Sequence, residues 1–134
     1  MGRKKEVPEI LTSEEDLARL YGLTRLTLGA ATVLMPSVVS KVWMGKGAED
    51  TVSRGALRGL GAREAALGFG TLVALERGGS VRRWLEAGAI ADAGDAFGTF
   101  SQRRSLPASR WVIATAIAGA SAWFSTQLAS SFED

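Results

Sequence analysis

The 134-residue chain has no cysteine and no histidine. Disulfides, thiol nucleophiles, zinc fingers and imidazole acid–base catalysis are therefore excluded. Proline is scarce, at three residues against 16 glycines, so the glycines do not come with the proline of a loop-rich or disordered chain. An excess of one charge is also missing. Sixteen basic and 14 acidic residues leave +2, and no stretch interleaves basic and aromatic residues as a nucleic-acid platform would. No nucleic-acid partner is expected. A metal would have to be a hard ion held by carboxylates. The segment "DAGDAFGTFSQR" lacks the alternating oxygen ligands of an EF-hand, and Gly68 and Gly70 lie in an apolar helix with no lysine following. Neither a metal nor a cofactor is expected.

What is present is small, apolar and helical in period. The length fits one domain over 1–134, with residues 1–11 as a polar tail. The start "MGRKKEVPEILTSEED" is basic like a signal peptide, then turns acidic with no apolar region or cleavage-like site, so it is expected to be retained. "TSEED" reads as a helix start, with Thr12 and Glu15 spaced as a capping box. The first helix runs from about Asp16 to Pro36, the second over Ala56–Leu75, the third over Trp84–Phe100 and the last from Trp111 to Phe132. Residues 36–55 read as a loop bearing the apolar patch Val38, Val39, Val42 and Trp43.

These four segments predict an all-α fold, a four-helix transmembrane bundle running up-down-up-down with short loops. The last has 22 residues without a charge, enough to cross a bilayer, which takes about 20. The first comes close, apart from Arg19 and Arg25. The second and third carry Arg63, Glu64, Asp92 and Asp95, each costing roughly 2.5–3.5 kcal/mol at a helix centre. They should not insert alone. The pairs Arg83-Trp84 and Arg110-Trp111, together with Trp43, match interfacial anchors. Gly55 with Gly59 and Gly94 with Gly98 have the four-residue spacing of close helix packing.

Hairpin register gathers the charges. Antiparallel helices about the turn 77–82 place residues level when their numbers total about 159, which brings Asp95 opposite Glu64 and within one residue of Arg63. A total near 91 for the first pair sets Arg25 opposite Ala66. Arg25, Arg63, Glu64, Asp92 and Asp95 thus reach similar depth, where unpaired ions are expensive and should pair inward. Arg63–Asp95 is the expected pair, with Arg25 and Asp92 as further members. Glu64 is the expected odd one out, because it sits about 100° around the helix from Arg63.

The spacing Asp92-x-x-Asp95 also occurs in intramembrane prenyltransferases and CDP-alcohol phosphotransferases, but Thr99 stands where the first has a third acid, and the second motif's following residues are absent. A different resemblance is carried by "RGLGAREAALGFGTLVAL" with "ADAGDAFGTFSQRR". This combination resembles a family of small bacterial four-helix integral membrane proteins of no assigned activity, with Gly-x-Arg-Glu in the second helix and an aspartate pair in the third. It covers mainly residues 55–104 and implies four spans. A looser similarity is to DoxX-like membrane proteins.

The reading is a non-enzymatic, multi-pass membrane protein, an accessory or scaffold with a buried Arg/Asp/Glu network. Its expected partners are the lipid bilayer and a second copy or another membrane protein. Both termini are expected on one side, the cytoplasmic one, although the basic residues divide evenly between the two sides. Two rivals stand beside it. One is an oligomeric proton-coupled transporter or ion carrier using Asp92 and Asp95; the other is a soluble helical interaction module.

Overall fold

The computed structural model describes residues 13–43 and 50–133, and these form five helices with no strand. Ser13 starts α1 (Glu14–Leu34): its hydroxyl accepts the Asp16 amide at 3.1 Å, and three acids in the first turn suit the positive end of the helix dipole. The expected partner of Glu15, Thr12, lies outside the described residues. Pro36 ends α1 and opens α2 (Pro36–Trp43), since its fixed φ and missing N–H suit a first helical turn. The chain bends by 107° between them. Asp50 caps α3 (Thr51–Arg77) by accepting the Val52 and Ser53 amides at 3.0 and 2.9 Å. Gly78 ends α3 in the left-handed conformation at φ 68°, which costs glycine least. After this turn, Ser80 caps α4 (Val81–Ser101), and Pro107 precedes α5 (Ala108–Ala129).

Two antiparallel pairs make up the body, α1 with α3 and α4 with α5. In the first pair, backbone lies on backbone. A Cβ added at Gly29 would fall 2.3 Å from the Ala65 nitrogen, and one at Gly68 would fall 2.4 Å from the Gly22 carbonyl oxygen. Gly22 faces Gly68 and Gly29 faces Gly61, a register total of 90 where about 91 is predicted. Gly55, Gly59, Gly94 and Gly98 meet nothing within 4 Å, so the close approach belongs to seven-residue rather than four-residue spacing. The apolar core is small and lies at one end: Ala18, Tyr21, Ala74, Val81, Leu85, Leu128 and Ala129.

The four-helix transmembrane bundle is corrected on two points. The segment read as the first loop contains the fifth helix, α2. Moreover, among the described residues α5 alone is long and apolar enough to cross a membrane, or two segments are if the bent α1–α2 pair counts as one. The charges inside α3 and α4 keep those helices below the mark. The expected multi-pass count and the placing of both termini on one side therefore lack support from composition.

Candidate ionic site in the helix interior

Arg25 leaves the middle of α1 on the face that packs toward the other helices, and only 6% of it is exposed. Its Nη1 donates to Glu64 of α3 and its Nη2 to Asp92 of α4. Asp92, also 6% exposed, accepts a further hydrogen bond from the Ser121 hydroxyl of α5 at 2.6 Å. One arginine and one aspartate thereby connect all four long helices.

The network continues through Glu64, whose second oxygen accepts from Arg63 Nη2 at 3.0 Å. Arg63 grips Asp95 with both terminal nitrogens, at 3.1 and 2.5 Å. This two-point contact fits the planar guanidinium to the carboxylate. The sequence runs Ser121, Asp92, Arg25, Glu64, Arg63, Asp95. Arg63–Asp95 pairs as the register predicts. Glu64 is corrected from odd one out to bridge between the two arginines. The angle between neighbouring helical residues misled here, because an arginine is long enough to fold back across it. Arg63 and Asp95 lie nearer the surface than Arg25 and Asp92, at 36% and 38% side-chain exposure.

Tyr21 was not anticipated. Its ring lies 4.8 Å from the Arg25 guanidinium carbon, within range of a cation–π contact. Its hydroxyl sits against Gly88, where an added Cβ would approach to 2.1 Å. Gly88 therefore makes room for the tyrosine that covers Arg25. Among the described residues, the Tyr21 hydroxyl, Arg25 Nε and Arg63 Nε are buried and meet no hydrogen-bond partner. Ser121 was missed as well. Serine in a small-residue helix gives no signal, and only its register against Asp92 marks it.

Glu64, Asp92 and Asp95 offer oxygens within 4.8 Å of one another, close enough to share one hard cation. Each is committed to a guanidinium, so a cation would enter against two positive charges. The group holds three carboxylates and two guanidiniums, an excess of one negative charge. That charge pattern suits a fixed ionic lock better than a divalent site.

The expected anchors divide. Trp84, 38% exposed, lies against Gly70, where a Cβ would fall 2.4 Å from the indole ring. Trp111 meets Phe100 edge-on at 5.9 Å. The Trp43 side chain lies outside the described residues.

Comparison with family models, with curated proteins and with solved structures gives no match.

Proposed function

We propose that the chain is a membrane-integrated, non-enzymatic accessory or scaffold protein, anchored by α5 and locked internally by its ionic network. The observation that carries this reading is an inversion of ordinary burial. Arg25 and Asp92 are 6% exposed, whereas Phe97 and Ile90 are each 74% exposed and Trp123 is 66% exposed. Water rewards the opposite partition. A lipid exterior rewards this one, because buried charges pair inside while apolar side chains meet hydrocarbon. From Trp111 onward α5 carries no charge, and the helix is mostly uncovered by the rest of the chain, unlike the core helix of a soluble protein. Partners on this reading are the bilayer and a second copy or another membrane protein.

Fractionation of cells expressing the full chain tests the proposal. The protein should sediment with membranes and remain there through carbonate extraction. Recovery as a soluble monomer without detergent would sink the reading and favour the soluble interaction module.

One observation favours a second reading, the carrier: three carboxylates share two guanidiniums, which leaves one negative charge in the network unbalanced. A proton is the smallest ion that could be exchanged there. Proton-dependent uptake into liposomes that disappears with Asp95→Asn would establish the carrier over the scaffold.

A further inference from the structure

The two ends of the helix body differ sharply in charge. The C-terminal end of α1, α2, the N-terminal end of α3 and the α4–α5 connection meet at one end. Arg58 Nε donates to the Val33 carbonyl at 3.3 Å there, and Phe100 packs on Trp111. Among the described residues this end carries Lys41, Arg54, Arg58, Arg103, Arg104 and Arg110 against the single acid Asp50. At the opposite end, residues 13–20, 76–86 and 127–133 hold six acids and four bases. The asymmetry is invisible in the chain's near-neutral total.

The basic end is also apolar. Leu34 and Val42 are each 76% exposed, Val52 is 81% exposed and Val38 is 56% exposed. Helix α2 turns by 107° from α1 and so lies across this end, with Ser40 fully buried and Val38, Lys41 and Val42 outward. Between α2 and the start of α5 runs a groove of about 290 Å³ lined by Val42, Arg110, Ile113 and Ile117. It has three apolar walls and one cationic residue.

We infer that this groove and its basic surround bind an anionic phospholipid. The acyl chain lies along Val42, Ile113 and Ile117, and the phosphate rests against Arg110, with Lys41, Arg103 and Arg104 supplying the surrounding field. Charge complementarity selects an anionic headgroup over a zwitterionic one. The apolar walls select a lipid over a free phosphate. Helix α2 lies in the headgroup plane, where an amphipathic helix can bury valines and keep its lysine wet. The inference rests on the membrane reading proposed above.

The test uses the full chain in a mild non-ionic detergent, with bound lipid counted by native mass spectrometry. Phosphatidylglycerol should be retained about tenfold better than phosphatidylcholine at low ionic strength, and the preference should shrink as salt rises past the screening range. Arg110→Gln should weaken phosphatidylglycerol retention about fivefold, the effect of one basic residue near a lipid surface. The double variant Arg103→Gln with Arg104→Gln, both exposed and outside the helix body, should weaken it similarly if Arg110→Gln fails to fold. Arg77→Gln, at the opposite end, should leave it unchanged. Equal retention of the two lipids, or an equal loss with Arg77→Gln, overturns the inference. Displacement of phosphatidylglycerol by inorganic phosphate alone also overturns it, in favour of a simple anion site. Failure here with the chain still in carbonate-washed membranes defeats the lipid site alone. Release of the chain by carbonate defeats the membrane reading.

Discussion

Arg25 and Asp92 touch each other, yet removing either charge should have unequal consequences. The network holds three carboxylates and two guanidiniums, so Asp92→Asn leaves two of each, and the amide can still accept from Ser121 and Arg25. Its expected cost in detergent is about 1 kcal/mol, that of weakening one hydrogen-bonded contact. Arg25→Gln instead leaves three carboxylates facing one guanidinium, two of them without their main partner. The loss there should reach about 3–5 kcal/mol, as for an orphaned buried charge. Thermal unfolding of both variants checks the order, and equal losses would refute the charge count. The Asp92→Asn protein should also show no change in proton flux in liposomes. A flux present in the wild type and lost in that stable variant would favour the carrier. Reversing Arg63 or Asp95 should cost less than Arg25→Gln, because both are more exposed. Swapping the two should recover part of the loss.

This pairing was legible because the turn at residues 78–80 is short enough to fix the register of α3 against α4. The bridging role of Glu64 was not, since it depends on how far two arginine side chains reach.

At the scale of the helix, glycine spacing alone was a poor guide to packing. The four-residue repeats Gly55/Gly59 and Gly94/Gly98 face open space, while Gly22, Gly29, Gly61 and Gly68 let α1 and α3 touch. Seven residues are nearly two full turns, so glycines at that spacing stay on one face along an antiparallel partner. Helix α2 was hidden for a related reason. Proline reads equally as the end of one helix and the first residue of the next, and only the bend between them separates the two. Gly29→Ala should destabilise the pair by about 1–3 kcal/mol, because its methyl meets the α3 backbone. Gly59→Ala should be neutral or gain up to about 1 kcal/mol from helix propensity. Melting temperatures in detergent that fall equally for both would contradict the assignment.

The α3 cap adds a pH dependence. The hydroxyl and amide of Ser53, followed by the Val52 amide, hold the Asp50 carboxyl below its ordinary value. A lowered folded pKa means the cap is fully effective above the unfolded value, about 3.9 for aspartate. It is lost as pH falls through the still lower folded value. Amide exchange at Thr51–Arg54, corrected for its intrinsic pH dependence, should therefore lose protection only below about pH 4. In Asp50→Ala the protection should be low throughout and show no such step.

For the molecule as a whole, the exterior decides between the membrane protein and its soluble rival. Its all-helical character was legible from composition and period, but its division into an ionic interior and an apolar surface needed the register of every helix. The absence of native cysteine permits a clean test of that division, because one introduced thiol is the only one to label. Ile117 is 53% exposed on α5 and therefore open to whatever surrounds the protein. Gln102 is exposed in the polar α4–α5 connection. In detergent-free liposomes opened to both faces, a water-soluble maleimide should label Ile117→Cys at least about tenfold more slowly than Gln102→Cys, because hydrocarbon excludes both water and the thiolate. Dissolving the bilayer and unfolding the chain should bring the two rates together. A soluble bundle reverses the expectation: both side chains face water, and both thiols label quickly without lipid. Rapid labelling of Ile117→Cys in intact liposomes would place α5 outside the bilayer and remove the anchor on which the membrane reading depends.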